Sequence, residues 1–239
     1  MKKYIKTVTV TGASDDTSFE DMLNIQKEYP FVEWGILLSR RMAGNSNRFP
    51  SKDWLERLQE FGKTSSEVPL NLSAHFCGSL VNDFLNSELT KDIAQILDSK
   101  MYSRVQINTH GERTKYDLNH LIKNISHNTD IQFIAQFDKV NDYIFELRER
   151  EYSNIAALYD LSHGAGVLPT EWDEPLFGIY TGYAGGLSPE NLENQLLNLD
   201  SVVEEPIWID AETWLRTNDL FDLDKVVEFL KIAKTRIID

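Results

Sequence analysis

Short apolar segments, β-branched at nearly every second position, recur along the chain. Each is followed by a polar loop and then by apolar residues at helical spacing. In the first repeat the alternating run extends from Ile5 to Val10, and Ser18 then starts a helix whose apolar face includes Phe19 and Met22. The pattern predicts strands at residues 5–10, 32–38, 69–75, 103–108, 130–137, 154–160, 177–181 and 206–210.

Helical patterns follow most of these strands. The helix after the second strand opens at Pro50, with Ser51 as its predicted N-cap. Other helices are predicted at residues 80–85, 91–97, 117–125, 140–150, 189–197 and 223–233. The sixth strand is followed by a glycine-containing loop with at most a short helix. Alternating strands and helices imply a parallel sheet. Eight units without a linker predict one (β/α)8 TIM barrel domain over residues 1–239.

Composition and charge narrow the function classes. The net charge of −14 argues against nucleic acid as a partner, because no excess of Lys and Arg is present to displace counterions from phosphates. No run approaches the roughly 20 apolar residues that span a bilayer, and the N-terminal residues lack a signal-like apolar region. A single cysteine excludes an internal disulfide framework. We expect a cytoplasmic protein that does not bind membranes.

The barrel prediction brings the carboxyl ends of all eight strands to one face, where ligands bind and reactions occur. Side chains that can donate, accept or transfer protons there suit acid/base work on a small polar molecule, although strand ends are also polar because they meet solvent. The strand-end residues are Thr11, Ser39, His75, Cys77, Gln106, Asn108, His110, Gln136, Asp138, Asp160, His163, Gly185, Gly186, Asp210 and Glu212.

Two carboxyl groups and three amides stand out within this set. Asp160 ends an apolar strand, and a carboxyl group at the mouth of an apolar wall suits a general acid. The alternative is a carboxylate that caps the nearby loop through backbone N–H groups. Asp210 has the same position on the last strand and would bind a substrate hydroxyl or hold its own loop. Gln106, Asn108 and Gln136 add neutral hydrogen-bonding capacity typical of sugar or amide recognition.

Histidine and cysteine residues offer two further alternatives. His75, His110 and His163 could bind a metal together with a strand-end carboxylate, but no HxH or HExxH spacing links them. No metal or other cofactor is therefore predicted. Cys77 follows His75 by two residues and could form a Cys/His nucleophile pair, whereas a lone cysteine is more often a small core residue.

Several segments resemble phosphoribosylanthranilate isomerase. Residues 182–192 (GYAGGLSPENL) are similar to the loop after its seventh strand, with the pattern Ala-Gly-Gly-Leu-x-Pro-x-Asn. Residues 209–225 align without a gap to its V-D-x-S-S-G-V-E-x-x-x-G-x-K-D segment, and residues 158–172 resemble its L-L-D…G-G-x-G-x-x-F-D-W segment. Residues 46–48 (SNR) resemble its S-P-R, and residues 9–12 (TVTG) lie where the family has K-I-C-G. The matches follow in order along nearly the whole chain.

The resemblance implies an Amadori rearrangement, in which a general acid opens the ring of an aminoaldose and a general base removes the proton from C2. It implies that Asp160 is the acid. The base of that family is the cysteine of the first-strand motif, and this chain has Thr11 there. A threonine hydroxyl without an activating partner is too weak an acid to supply an anionic base. Another residue, such as His75 or His163, would then have to act.

The resemblance also implies a phosphate site made by the glycine loop and a Ser-Gly pair after the eighth strand. Gly185 and Gly186 keep the first half. The second half reads Thr-Trp at residues 213–214 after Glu212, which adds bulk and negative charge. Arg48 corresponds to the arginine that binds substrate in the family.

These features predict a cofactor-independent isomerase or lyase that acts on a phosphorylated or otherwise anionic sugar-like metabolite by acid/base chemistry. Asp210 and Arg48 would position this small-molecule substrate. The alternative is a barrel that has lost its chemistry and binds a metabolite or a protein partner without turnover. A monomer or a homodimer is expected in either case.

Overall fold

Eight parallel strands close into a barrel in chain order, so the predicted (β/α)8 fold is confirmed. The computed structural model describes residues 2–64, 68–109, 115–138, 141–160, 162 and 165–238. The strands are Ile5–Thr11 (β1), Val32–Leu38 (β2), Leu72–Phe76 (β3), Tyr102–Ile107 (β4), Gln132–Phe137 (β5), Ile155–Tyr159 (β6), Tyr180–Tyr183 (β7) and Ile207–Ala211 (β8).

Alternation along the strands divides the buried residues into two sets. In β1, Val8 and Val10 belong to the apolar layer between the barrel and its helices. Thr9 and Thr11 alternate with them and form hydrogen bonds with carboxyl groups of neighbouring strands. Successive side chains of a strand point to opposite faces, so the period-two pattern of the sequence separates the outer core from the barrel interior.

The helices surround the barrel at nearly the predicted positions. They are Phe19–Glu28 (α1), Lys52–Thr64 (α2), Ser79–Asn86 (α3), Lys91–Asp98 (α4), Leu118–Ser126 (α5), Tyr143–Glu149 (α6), Leu192–Leu199 (α7) and Leu223–Ala233 (α8). The predicted N-cap Ser51 is confirmed, because its hydroxyl accepts a hydrogen bond from the backbone N–H of Trp54 at 3.2 Å. The described residues between β6 and β7 contain no helix.

The seventh strand differs from the prediction because it begins at Tyr180 rather than Phe177. Gly178 has a φ of +73°, and the backbone N–H of Ile179 donates to the carbonyl of Leu176 at 3.0 Å. A turn therefore occupies the residues that the apolar pattern assigned to the start of the strand.

A short hairpin that the apolar pattern did not predict follows β8. A 3-10 turn at Thr213–Leu215 leads into the antiparallel pair Arg216–Thr217 (β9) and Leu220–Phe221 (β10). The two residues between them, Asn218 and Asp219, have φ values of +52° and +61°. Positive φ at both central residues is the requirement of a type I′ hairpin turn, which Asn and Asp tolerate better than most residues. The hairpin lies at the rim of the candidate site.

The barrel interior is polar on one side and apolar on the other. Glu33 of β2 forms a buried ion pair with Arg104 of β4 at 3.0 Å, and the hydroxyl of Thr9 donates to the same carboxylate oxygen at 2.8 Å. The Arg104 guanidinium also lies 4.1 Å from the centre of the Trp208 ring. The apolar side consists of Ile134, Ala156, Leu158 and Trp208.

Candidate functional site

A pocket of about 210 Å³ opens at the carboxyl ends of the strands, where active sites of this fold occur. It is smaller than the roughly 300–1,000 Å³ of sites for drug-sized ligands, so it suits a small metabolite. Thr11 does not line it, and His110 and His163 lie outside the described residues. The pocket does bring together the predicted residues Arg48, His75, Gln106, Asn108, Gln136, Asp160, Gly185, Gly186, Asp210 and Glu212.

Asp160 lies directly after β6 and is 7% exposed. One of its oxygens accepts a hydrogen bond from the Gln136 side chain at 2.9 Å. The other accepts hydrogen bonds from the hydroxyl of Ser162 at 2.8 Å and from its backbone N–H at 3.1 Å. The alternative expectation, a carboxylate that caps its own loop, therefore describes part of its environment, and the same group also faces the pocket.

Asp210 lies near the end of β8, two strands along the barrel from β6, and is 5% exposed. Burial raises the pKa of Asp210 well above its usual range, and the charges of nearby carboxylates act in the same direction. The hydroxyl of Thr11 donates to Asp210 at 2.9 Å and opposes this shift. Gly35 allows this arrangement, because a Cβ there would lie 2.2 Å from the Thr11 hydroxyl oxygen. Thr11 therefore supports a carboxyl group from below the pocket.

His75 lies on β3 and is 1% exposed. Burial lowers the pKa of His75 to about 3, and the nearby charge of Arg104 adds to this effect. The imidazole is therefore neutral and only weakly basic at neutral pH, which weighs against the expectation that His75 is the missing base. Its Nε2 atom has no hydrogen-bond partner among the described residues.

The three amides are joined to their neighbours by hydrogen bonds. The Gln106 amide donates to Asn108 at 2.8 Å, and the Asn108 amide donates to the sulfur of Cys77 at 3.3 Å. The oxygen of Gln136 accepts a hydrogen bond from the backbone of Thr109 at 2.7 Å, while its nitrogen holds Asp160. Burial raises the pKa of the Cys77 thiol to about 12, so it is not an activated nucleophile.

Arg48, the predicted substrate arginine, is bound to acidic residues of its own chain. Its guanidinium lies 3.0 Å from Glu212 and 3.4 Å from Asp219. Burial raises the pKa of Glu212, and the charge of Arg48 opposes that shift. Glu212, which was expected to repel an anion, thus neutralises Arg48, which was expected to attract one.

The glycine loop has the backbone conformation that its sequence predicts. Gly185 and Gly186 have φ values of +109° and +68°, which favour glycine. A Cβ on Gly186 would lie 2.5 Å from the backbone nitrogen of Leu168 and 2.8 Å from the carbonyl carbon of Val167. These glycines therefore allow the backbone of their loop to lie close to the loop between β6 and β7.

Sequence reasoning missed Ser162 and Asp219 at the rim, and it gave Trp214 only as added bulk beside the glycine loop. Ser162 holds Asp160, and Trp214 donates from its indole nitrogen to the carbonyl of Gly166 at 2.7 Å. Asp219 binds Arg48 from the hairpin turn. The Asn-Asp pair between two short β segments was a usable signal for that turn, whereas the partners of Trp214 depend on how two distant loops meet.

The described part of the chain contains neither a cluster of metal-binding residues nor a membrane-spanning helix. No group of three or more His, Cys, Asp or Glu residues there is arranged to hold a metal ion. No helix in the same residues has both the length and the apolar character needed to cross a membrane.

Comparison with known proteins gives similarity in fold. No family model and no curated protein matches the chain. Phosphoribosylanthranilate isomerase from Thermotoga maritima has a TM-score of 0.57 and 21% identity, over 96% of this chain and 99% of that chain. N-(5′-phosphoribosyl)anthranilate isomerase from Pyrococcus furiosus has a TM-score of 0.55 and 16% identity, over 96% and 98%.

A third similar structure has a different activity. 3-Hexulose-6-phosphate synthase from Salmonella typhimurium has a TM-score of 0.54 and 10% identity, over 96% of this chain and 99% of that chain. Identities this low carry the fold and leave the reaction to the residues of the site. In fold, this chain is a divergent (β/α)8 barrel similar to phosphoribosylanthranilate isomerase.

Proposed function

We propose that the protein is a cofactor-independent isomerase or lyase that acts on a sugar-like metabolite by acid/base chemistry. One observation carries the proposal: Asp160 and Asp210, from different strands, face a single pocket in different surroundings. Two carboxyl groups held in unlike environments can divide the roles of acid and base. The amides beside them supply the neutral contacts that hydroxyl groups need.

The roles follow from these surroundings. Burial raises the pKa of Asp210 and favours its protonated form, which would deliver a proton to an oxygen of the substrate. Asp160, held by donors from Gln136 and Ser162, would take the proton from the carbon next to the carbonyl group. Asp160 then returns that proton to the neighbouring carbon, and Asp210 recovers a proton from the adjacent hydroxyl, which becomes the new carbonyl. The isomerisation is thus completed without gain or loss of atoms. The resemblance implied Asp160 as the acid, but the raised pKa of Asp210 favours Asp210 for that step.

Thr11 takes a supporting part in this scheme. Its hydroxyl is committed to Asp210 at 2.9 Å, so it holds that carboxyl group in place. His75, with a pKa of about 3, serves better as a hydrogen-bonding group than as a base. His75, one of the two histidines that the sequence offered for the missing base, therefore gives way to the pair of carboxyl groups.

A phosphorylated substrate, as the resemblance implies, would bring its phosphate to Gly185 and Gly186. Positive φ at both glycines supports an anion there. The contacts of Arg48 with Glu212 and Asp219 weigh against it. The same contacts favour a second candidate function, a barrel that binds a metabolite without turnover.

Solvent exchange tests the proposed chemistry without knowledge of the product. Aldoses and their phosphates are incubated with the protein in D2O, and loss of the C2 proton signal is followed by NMR. We expect exchange with at least one compound, and we expect Asp160→Asn to slow it by about 10²–10⁴-fold. Glu190→Gln, an exposed change in the loop after β7, is the matched control.

Circular dichroism would establish that each variant is folded. Exchange that persists in Asp160→Asn would remove Asp160 from its role. Binding of a sugar with no exchange at C2 would favour the second candidate function.

A further inference from the structure

The chain itself covers the glycine loop at the outer end of the pocket. We call residues 166–168 the crossing segment. Its backbone lies so close to Gly186 that a Cβ there would meet the nitrogen of Leu168 at 2.5 Å. On its other side, the carbonyl of Gly166 accepts a hydrogen bond from the Trp214 indole at 2.7 Å. The crossing segment thus contacts both loops that would have to enclose a phosphate.

The charges around the pocket are also unfavourable for a dianion. Of the described residues that line it, Arg48 alone is a lysine or arginine, and it is bound to Glu212 and Asp219. The guanidinium of Arg216 donates to backbone carbonyl groups, among them that of Gly12 at 3.0 Å. A phosphate in the pocket would therefore face carboxyl groups, and the described lining residues would supply no cation that is not already bound to a carboxylate.

Two residues that line the floor of the pocket each carry a buried polar atom without a partner among the described residues, Nε2 of His75 and Oε1 of Gln106. Both side chains are at least 95% buried. The hydrogen bond from the Gln106 amide nitrogen to Asn108 directs its oxygen away from that neighbour, so Oε1 requires a donor. A hydroxyl group can donate to Gln106 and can also satisfy the neutral imidazole. A phosphate dianion only accepts hydrogen bonds.

On the basis of the proposed function, we propose that the substrate is an uncharged, monosaccharide-sized polyhydroxy compound. Its hydroxyl groups bind His75 and Gln106 on the floor, and the crossing segment occupies the place of a phosphate. Each buried polar atom that a hydroxyl satisfies recovers part of the free energy that an unpaired buried group costs. The site is therefore built for hydroxyl groups at its floor and is closed to an anion at its rim.

Matched pairs of sugars and sugar phosphates test this inference by binding alone. Ribose with ribose 5-phosphate, fructose with fructose 6-phosphate, and glucose with glucose 6-phosphate are titrated against the protein by ligand-observed NMR. For at least one pair we expect the sugar to bind about tenfold more tightly than its phosphate. Gln106→Leu should abolish binding of that sugar, and Asp160→Asn should retain it while losing proton exchange at the carbon next to the carbonyl group.

A charge variant tests the rim separately. Glu212→Gln removes a partner of Arg48 and should narrow the preference of the sugar over its phosphate, whereas Glu190→Gln should leave that preference unchanged. The inference is wrong if any phosphate binds more tightly than its parent sugar, or if no sugar of the panel binds. Binding without exchange would instead refute the proposed function and leave the ligand class intact. If a variant fails to fold, the affinities of the unmodified protein for each sugar and for its phosphate still test the inference.

Discussion

Asp160 and Asp210 both end strands of one barrel, yet their neighbours differ in chemistry. Asp160 meets an amide and the Ser162 donors, whereas Asp210 meets the Thr11 hydroxyl in a setting dominated by burial and other carboxyl groups. When a buried carboxyl group with a raised pKa ionises, the folded protein loses stability. The proposed acid should therefore be visible in the pH dependence of folding even before a substrate is known.

Asp210→Asn tests this linkage. Because the pKa of Asp210 is raised on folding, its contribution to stability is present below the unfolded pKa of about 3.9 and is lost as pH rises through the folded pKa. We expect Asp210→Asn to reduce the loss of stability that the native protein shows over that window. The measurement is the free energy of unfolding by urea from about pH 4 to about pH 9.

Thr11→Val is the companion variant. It removes the hydrogen bond that lowers the pKa of Asp210, so the loss of stability should move to higher pH, and the unpaired group should cost roughly 1–3 kcal/mol. Identical pH profiles for the native protein and both variants would contradict the assignment.

Single residues also show where sequence reasoning ends. The strand-end rule placed Asp160 and Asp210 in the pocket, because the end of a strand in this fold has a fixed location. It did not predict the pairing of Arg48 with Glu212, which lie 164 residues apart in the sequence. That pairing depends on how the long loop after β2 meets the end of β8, and no local pattern encodes it.

At the scale of elements, local patterns were again predictable from the sequence, whereas turns and contacts between loops were not. The bounds of β2 and α8 agree with the apolar pattern because both elements bury a regular face. The start of β7 was wrong because Gly178 forms a turn within an apolar run. The contact between the crossing segment and Gly186 was also not predictable, because the glycine pattern indicated close approach to an anion rather than to another loop.

Gly186→Ala tests this contact between loops. The new Cβ would lie 2.5 Å from backbone at a φ of +68°, so we expect a loss of roughly 1–3 kcal/mol in the free energy of unfolding. Gly62→Ala is the control: it lies within α2 with nothing within 4 Å of the new Cβ, and it should stabilise by about 0.5–1 kcal/mol. A neutral or stabilising Gly186→Ala would refute the close contact. The measurement is chemical denaturation of both variants at one pH.

At the scale of the whole molecule, the polar half of the barrel interior controls acid stability. The interior encloses the Glu33–Arg104 ion pair, and His75 lies above it as a neutral ring. Removal of one partner from a buried ion pair typically costs about 3–5 kcal/mol, so the charge of Arg104 is a fixed part of the fold. His75 therefore remains beside a permanent positive charge and resists protonation.

His75→Gln should make the protein more resistant to acid. The pKa of His75 falls from about 6.5 to about 3 on folding, so its contribution to stability is present above the unfolded value and is lost as pH falls toward the folded value. That difference amounts to roughly 4–5 kcal/mol. Unfolding by urea between about pH 7 and pH 3 measures it. The exposed His127→Gln is the control, and equal acid sensitivity in both variants would show that His75 is not responsible.

Closure of the barrel has a consequence for synthesis of the chain. Ile5 of β1 pairs with Ile207 of β8, and the backbone N–H of Ile238 donates to the carbonyl of Ile5. A ribosome completes the first seven strands before the residues that join the two edges exist. Until then the nascent sheet exposes unpaired strands on both sides, which invites association with other chains. Asp210 belongs to β8, the strand that closes the sheet. The pocket therefore gains its second carboxyl group only when the nascent chain can also close its barrel.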